Sequence, residues 1–300
     1  MKAIQITVKS AGLLMMSAMM VLFSCLEESI SSQEDTALIT EDAIMDSYYE
    51  DTDDLISLVL LSDDIYSTGG RVANSRLVSL NDSRFACSGV AVTVTPDPKS
   101  TLEKPMVTIL IDFGDACTDA QGNVRKGRIK VQIEGHRFRP GSTVVATFQQ
   151  YYINGIALFG IRKLTNISTS TAGVPRFSIE LTNAMAIWPD GTQTLRQNCV
   201  ARTWLRAINP LNDAIVVENC DGMAVAATGT NRLGREYQIR ILEPMLFKRG
   251  CPIAVKGVKE ITDLRNNKVM IINYGEGECD RTITLTIDGN SRKVEVKKRS

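Results

Sequence analysis

The sequence predicts a mainly β protein, in which an antiparallel meander forms a sandwich or a partly closed barrel behind a short N-terminal helical segment. Apolar residues alternate with period two at Val90–Val94, Val107–Ile111, Ile129–Ile133 and Ile283–Ile287. That alternation is typical of antiparallel strands with one buried and one polar face. About a dozen strands are expected, with no convincing helix between them, which excludes βαβ architectures.

Turn dipeptides and a helical segment mark the ends of this region. Hairpin turns are predicted at Asn154-Gly155, Asp190-Gly191 and Asp288-Gly289. Residues 36–66 are predicted to be helical, because Thr40 and Thr52 are each followed by two acidic residues, a pattern typical of helix N-caps. An apolar face at helical spacing, expected to dock on the β domain, is formed by Leu55, Leu58, Val59 and Ile65. Residues 67–84 are expected to be a polar connector.

The first 24 residues have the pattern of an export signal. Lys2 and Lys9 precede an apolar run from Ala11 to Phe23, and the run ends in Leu22-Phe23-Ser24-Cys25. This pattern resembles a bacterial lipoprotein signal, and the resemblance implies cleavage before Cys25 and acylation of its thiol and amino group, for example with palmitate. The alternatives are an ordinary signal peptide and an uncleaved membrane anchor. A run of about 13 residues is shorter than the roughly 20 that span a bilayer.

The residues after Cys25 bear on the destination of the chain. Glu27 and Glu28 resemble the surface-export signals of lipoproteins in Bacteroidetes-type bacteria, and Leu26 differs from the Asp that retains many lipoproteins at the inner membrane. We expect an outer-membrane, lipid-anchored protein that faces the periplasm or the cell surface. Its membrane partner is reached through lipidated Cys25.

The zero net charge of the 300-residue chain hides a strong asymmetry. Residues 25–66 contain thirteen acidic side chains and no Lys or Arg, whereas residues 67–300 contain 32 basic and 21 acidic side chains. The acidic stretch is interpreted as a solvated tether with helical pieces. Three interpretations of the basic surplus remain open: pairing with the acidic segment, proximity to anionic lipid headgroups, and binding of an acidic glycan.

Six cysteines remain when Cys25 is assigned to the lipid, and an even number in an exported chain favours disulfides. Antiparallel partners equidistant from a turn face each other. Sequential pairing around three hairpins is therefore predicted for Cys87–Cys117, Cys199–Cys220 and Cys251–Cys279. Unpaired buried thiols are the alternative.

Two of these hairpins are similar to each other. Residues 111–117 (IDFGDAC) and 272–279 (INYGEGEC) both precede an alternating strand that ends in an acidic residue and a glycine. A duplicated unit of three antiparallel strands, at about 87–135 and 251–289, is predicted inside a β domain of residues 85–300. The chain is thus divided into a signal peptide (1–24), an acidic tether and helical segment (25–66), a connector (67–84) and the β domain.

A family resemblance rests on three motifs. They are D-F-G-x-x-C at Asp112–Cys117, G-R-I-K-V at Gly127–Val131, and T-F-x-x-Y-Y-I-N-G at Thr147–Gly155. Together with the lipobox L-F-S-C, they resemble uncharacterised outer-membrane lipoproteins of Bacteroidetes-type bacteria. The resemblance covers about residue 85 to the C-terminus and implies an exported β-rich domain, without catalytic residues to transfer.

The sequence offers few candidates for catalysis or metal binding. His136 is the single histidine, and no G-x-S-x-G elbow accompanies it, so a Ser-His-Asp hydrolase is not predicted. Asp112, Asp115 and Asp119 are weak candidates for holding Ca²⁺ through oxygen ligands, since they miss the spacing of known calcium loops. Paired carboxylates that hydrolyse glycans remain an alternative, because such pairs are defined by distance in the fold.

The expected function is therefore binding or envelope structure rather than catalysis, with no cofactor and no nucleic acid partner. A glycan or another envelope component is the candidate ligand. Aromatic side chains that could stack on sugar rings, or alternatively pack in the core and hairpins, are Tyr151, Tyr152, Trp188 and Trp204. A secreted carboxylate-dependent glycan hydrolase is the alternative function.

Overall fold

The computed structural model describes residues 33–62, 75–80, 82–87, 89–209, 212–249, 251 and 253–296. Within these ranges there are one α-helix, α1 (Gln33–Ser62), one 3-10 turn (Ser83–Phe85) and sixteen antiparallel strands in one continuous sheet. The prediction of a mainly β antiparallel meander behind a helical segment is confirmed. No helix in the described part of the chain is long and apolar enough to cross a membrane.

The strands follow one another in the sheet almost in chain order, with β4 and β11 as short side branches. Their bounds are β1 (Arg76–Val78), β2 (Ala91–Pro96), β3 (Met106–Asp112), β4 (Cys117–Thr118), β5 (Val124–Glu134), β6 (Thr143–Ile153), β7 (Ile156–Asn166), β8 (Arg176–Ile187), β9 (Gln193–Leu205), β10 (Ala214–Asn219), β11 (Ala227–Thr230), β12 (Glu236–Lys248), β13 (Lys256–Asp263), β14 (Lys268–Glu276), β15 (Thr282–Ile287) and β16 (Asn290–Glu295). Strand β1 lies inside the segment 67–84 that the sequence indicates to be a connector.

The turn dipeptides and the alternation form as the sequence predicts. In β3 and β15, every second side chain is buried. Both residues of Asn154-Gly155 and of Asp288-Gly289 have positive φ, which a two-residue type I′ hairpin turn requires. These turns join β6 to β7 and β15 to β16. Local turn chemistry therefore fixes the register of these hairpins.

The six cysteines form three pairs at disulfide distance, and the pairs are the predicted ones. The Cα–Cα distances are 5.5 Å for Cys87–Cys117, 5.5 Å for Cys199–Cys220 and 5.3 Å for Cys251–Cys279. The first and third pairs each flank a hairpin, β2–β3 and β13–β14, that pairs with a further strand, β5 and β15. The two units thus share one arrangement of three strands and one disulfide.

Helix α1 is continuous from Gln33 to Ser62, which corrects the expectation of N-caps at Thr40 and Thr52. Both threonines lie inside the helix. The Thr52 hydroxyl donates to the Tyr48 carbonyl at 3.2 Å, so the side chain bonds back within the helix instead of capping a new one. Of the predicted docking face, Leu55 and Val59 are fully buried and Leu58 packs against the core, whereas Ile65 lies outside the described residues.

The helix belongs to the hydrophobic core of the sheet. Its residues from Met45 to Leu60 pack in a cluster with β2, β3 and β5–β8, and Leu38 joins a second cluster with β12–β15. The Tyr49 hydroxyl donates to the Phe159 carbonyl at 2.7 Å, and its ring packs edge-on against Phe148. The sheet therefore folds around the helix, and each buries the apolar face of the other.

Two ion pairs show how strongly the sheet curves. Asp51 binds Arg125 on β5, and nine residues earlier Asp42 binds Lys259 on β13. Nine helical residues span about 13 Å, whereas β5 and β13 are seven strand steps apart, about 34 Å in a flat sheet. Only a sheet that wraps around the helix brings both strands to it.

Bulges at the same level of successive strands produce this curvature. The register shifts between β5 and β6, between β6 and β7, between β7 and β8, and between β8 and β9. At the first bulge Gly127 has a φ of 79°, and a Cβ there would lie 1.9 Å from the Gln150 carbonyl oxygen. Glycine permits this close approach, and a bulge bends its strand and increases the local twist.

Acidic side chains of the helix meet basic side chains on the concave face of the sheet. Asp53 accepts two hydrogen bonds of 2.6 Å from Arg162, and both residues are buried. Further pairs join Asp51 to Arg125, Asp42 to Arg196 and Lys259, Asp46 to Arg196, and Glu50 to Arg202. Of the three interpretations of the basic surplus, pairing with the acidic segment is observed for these residues, and residues 38–60 pack in the core instead of forming a solvated tether.

Candidate functional site

One end of the sheet carries a partly exposed group of aromatic and arginine side chains, which we call the Phe138–Trp204 surface (Arg137, Phe138, Phe177, Trp204 and Arg206). Arg137 and Phe138 lie in the loop between β5 and β6, and Phe177 lies at the start of β8. Trp204 lies at the end of β9, and Arg206 directly follows that strand. Successive turns of an antiparallel meander lie at opposite ends of the sheet, so every second turn shares an end. The loops 135–142, 167–175 and 206–213 therefore meet at the same end.

The guanidinium group of Arg206 is placed by two aromatic rings. Its central carbon lies 4.9 Å from the centroid of the Phe138 ring and 5.1 Å from that of Trp204. The two rings are 5.7 Å apart, and Phe138 also packs edge-on against Phe177 at 6.2 Å. Both contacts of Arg206 are within the distance of cation–π attraction. Among the described residues, no carboxylate forms an ion pair with Arg206.

Hydrogen bonds from the neighbouring loops hold this arrangement. The Trp204 Nε1–H donates to the Asp213 carboxylate at 3.0 Å, and the other oxygen of Asp213 accepts from the Ala207 N–H at 2.9 Å. In the opposite loop, the Arg137 carbonyl accepts from the Asn166 amide at 2.9 Å and from the Ser142 hydroxyl at 3.0 Å. The rings and the guanidinium group are therefore positioned before any ligand binds.

Apolar side chains surround these groups and remain exposed to solvent. Phe138 itself is 38% exposed. Leu205 at the end of β9 is also exposed, as are Val174 and Ile208 in the neighbouring loops. Flat apolar faces beside a planar guanidinium group can bind a ring-shaped ligand that carries a carboxylate, sulfate or phosphate, since arginine binds such groups through two parallel hydrogen bonds.

Of the four aromatic residues that the sequence suggests for sugar stacking, only Trp204 belongs to this surface. Tyr151 is buried against Phe113 and Phe148. Trp188 is 9% exposed beneath Arg232, and Tyr152 packs under Lys126, whose Nζ lies 4.1 Å from the ring centroid. For Tyr151 and Trp188 the core-packing alternative therefore fits the structure.

The three aspartates considered for calcium have separate surroundings. The Asp112 carboxylate accepts from Arg128 Nε at 2.6 Å and from the Gly114 N–H at 2.9 Å. Asp119 is buried and accepts from Arg125, from the Asn123 amide and from two backbone N–H groups, while Asp115 is exposed. Burial opposes the ionisation of Asp119, but the Arg125 and Asn123 hydrogen bonds outweigh burial and lower its pKa. No group of three or more His, Cys, Asp or Glu side chains that could hold a metal occurs in the described parts of the chain.

His136 and Cys25 complete the residues singled out from the sequence. The His136 Nε2 lies 2.8 Å from the Leu102 carbonyl oxygen, a contact that ties the β5–β6 loop to the β2–β3 loop. Cys25 lies outside the described residues.

One pair of helix carboxylates bears on the alternative of glycan hydrolysis. Asp46 and Glu50 are one helical turn apart and both are partly exposed. Burial by the surrounding protein raises the pKa of Glu50, as a general acid requires, with Arg202 opposing the rise. Each carboxylate, however, accepts from a guanidinium group: Asp46 from Arg196 at 2.6 Å and Glu50 from Arg202 at 3.0 Å. The arrangement attaches the helix to β9 and leaves neither carboxylate free for proton transfer.

The sequence does not single out Phe138 and Arg206 as site residues. The run Glu134–Arg139 contains Phe138 between two arginines, but that pattern alone does not distinguish a strand end from a binding loop. Arg206 is 68 positions away along the chain, and only the order of the strands brings it to Phe138.

Three comparisons with known proteins found no similar protein. No family model matches the sequence, and no match was found among the curated proteins or among the solved structures.

Proposed function

We propose that this protein is an outer-membrane lipoprotein, anchored through acylated Cys25, whose β domain binds an acidic glycan of the cell envelope at the Phe138–Trp204 surface. The signal pattern that ends in Leu22-Phe23-Ser24-Cys25 supports the anchor. We propose a non-catalytic role, and the arginine contacts of Asp46 and Glu50 support it, because they attach these two carboxylates to β9.

The observation that carries the proposal is the setting of Arg206. The arginines and the lysine of the concave face that contact the helix bind its carboxylates, whereas Arg206 lies over two rings at an exposed end of the sheet. A cation held by aromatic rings keeps its hydrogen-bond donors available for an anionic group of a ligand. The rings would contact the apolar face of the sugar.

A glycan array tests this function. The probe is residues 26–300 and retains α1, because the helix forms part of the core. We expect binding to glycans that carry carboxylate, sulfate or phosphate groups, and weaker binding to neutral glycans. Binding to no glycan, or equal binding to neutral and acidic glycans, would contradict the proposal.

Matched substitutions locate the site. Arg206→Gln should weaken binding by about tenfold or more, because it removes a charge-assisted bidentate contact. Lys126→Gln is the control, since Lys126 also lies over an aromatic ring but near the opposite end of β5. An equal loss in both variants would show that general positive charge, rather than this surface, attracts the glycan.

The anchor has an independent test. We expect the wild-type chain to fractionate with membranes and to carry acyl mass on its N-terminal peptide, and Cys25→Ser to lose both. If Cys25→Ser remains in the membrane fraction and the wild-type peptide has no acyl mass, the anchor is wrong whatever the array shows.

A further inference from the structure

The end of the sheet opposite the Phe138–Trp204 surface presents two exposed leucines. Leu233 lies in the turn between β11 and β12, and Leu264 lies in the turn between β13 and β14; they are 59% and 40% exposed. The two turns are neighbours, because the Leu264 N–H donates to the Glu236 carbonyl at 2.9 Å. We call this pair the Leu233–Leu264 turns.

The helix runs toward the Leu233–Leu264 turns as it is followed back to its N-terminus. Glu50 contacts Arg202 near one end of β9, and Asp46 contacts Arg196 near the other end. Further back, the Glu41 carboxylate accepts from the backbone N–H of Arg232, which lies in the β11–β12 turn. The Glu41 contact thus places the N-terminal part of α1 beside this end of the sheet.

The proposed lipid attachment site is close to the start of α1 along the chain. Cys25 precedes Gln33 by eight residues, which span at most about 28 Å when fully extended. Strand β9 has thirteen residues and is about 43 Å long. A lipid on Cys25 is therefore held on the side of the Leu233–Leu264 turns rather than on the side of the Phe138–Trp204 surface.

We propose that the Leu233–Leu264 turns rest in the interface of the phospholipid bilayer that carries the anchor. Leucines at the headgroup boundary bury apolar surface, and the exposed Arg265 beside Leu264 can reach the headgroups while its stem stays apolar. The contact is apolar rather than electrostatic, because the nearby cations Arg232, Arg235 and Lys268 each lie within 4.0 Å of a carboxylate. The proposal rests on the proposed lipid anchor, and it orients the Phe138–Trp204 surface away from the membrane.

Depth-dependent fluorescence quenching tests this orientation. Unacylated residues 25–300, with the disulfides formed, are coupled through the Cys25 thiol to a maleimide phospholipid in phosphatidylcholine vesicles that contain brominated acyl chains. Leu233→Trp and Leu264→Trp are compared with Ile208→Trp, which is fully exposed in the β9–β10 loop at the opposite end. After subtraction of the signal of the parent chain, we expect at least twofold quenching of the first two tryptophans and none of the third.

The outcomes separate the docking from the anchor. Equal emission with and without bromine in Leu233→Trp and Leu264→Trp, or quenching of Ile208→Trp as strong as theirs, would overturn the docking proposal. Because the coupling is chemical, this result does not depend on natural acylation, whose failure is detected separately as a missing acyl mass. All three substitutions are at exposed turn or loop positions, and circular dichroism of the vesicle-bound chains checks that each is folded.

Discussion

Arg162 and Arg206 show one residue type in two contrasting regions of the molecule. Arg162 lies on the concave face of the sheet, is 3% exposed, and donates twice to the buried carboxylate of Asp53. Arg206 lies at the end of the sheet over the rings of Phe138 and Trp204, without an ion pair among the described residues. The donors of the first arginine are used within the fold, whereas those of the second are available to the proposed ligand.

The contrast extends to the surroundings of the two arginines. On the concave face, cations from β5, β7, β9 and β13 are matched with carboxylates of one helix, which brings strands that are distant in the chain around a common axis. At the Phe138 end, aromatic rings take the place of the carboxylates. We infer that the interior charges specify the fold, whereas the charges at the end provide the binding surface.

The largest expected effect comes from removing one partner of the buried Arg162–Asp53 ion pair. Arg162→Met leaves Asp53 buried without its bidentate partner, and we expect a loss of about 3–5 kcal/mol in the free energy of unfolding. Equilibrium denaturation in urea measures the change.

A double variant distinguishes charge from packing. In Arg162→Met with Asp53→Leu, no unpaired charge remains, and an apolar pair of similar volume should recover more than half of the loss. A double variant as unstable as the single one would show that the pair acts through geometry that apolar residues cannot replace.

A second, smaller effect is expected at Asp119, another buried aspartate. Asp119→Asn removes the charge that Arg125 binds, and we expect a loss of about 2 kcal/mol at neutral pH. Because the folded state lowers the pKa of Asp119, its contribution is present above the unfolded pKa of about 3.9 and is lost as the pH falls through the lower folded pKa. The stability of Asp119→Asn should therefore decrease less than that of the wild type between pH 5 and pH 2. Parallel curves would contradict this assignment.

Much of the sheet follows from local patterns, and the interior does not. The alternation in β3 and β15, the Asn154-Gly155 turn and the three cysteine pairs depend on residues close in sequence, and each forms as predicted. The ion pairs of the helix depend on partners such as Asp42 and Lys259, which are 217 positions apart. An acidic helix indicates that cations are nearby, but the order and curvature of the strands determine which cations meet it.

The sequence predicts only part of the Phe138–Trp204 surface. Trp204 is a candidate from the sequence because its ring could stack on a sugar. Its role beside Phe138 depends on the β5–β6 and β9–β10 loops meeting at one end of the sheet, which requires the full strand order.

Arg206→Gln should change stability far less than Arg162→Met. Its loss removes two partly exposed cation–π contacts, and we expect a decrease of under about 1 kcal/mol in the free energy of unfolding. Urea denaturation of Arg206→Gln and Arg162→Met under identical conditions makes the comparison direct. If the two variants are equally unstable, Arg206 is a structural residue, and weaker glycan binding by Arg206→Gln would no longer identify a binding site.

The smallest effect is expected at Glu50. This side chain is half exposed and accepts a hydrogen bond from Arg202 on β9, the strand that also carries Trp204. Glu50 is therefore intermediate between the two regions. Burial raises the pKa of Glu50, so its contribution to stability is present below the unfolded pKa of about 4.3 and is lost as the pH rises through the folded value. Glu50→Gln has no carboxyl group to ionise, so its stability does not fall with this ionisation as the pH rises. Its stability relative to the wild type should therefore increase from pH 4 to pH 7, ending within about 0.5 kcal/mol of the wild type, because a half-exposed ion pair contributes little. Urea denaturation at the two pH values measures this trend. The opposite trend would mean that the hydrogen bond from Arg202 outweighs burial and that Glu50 belongs with the matched charges of the interior.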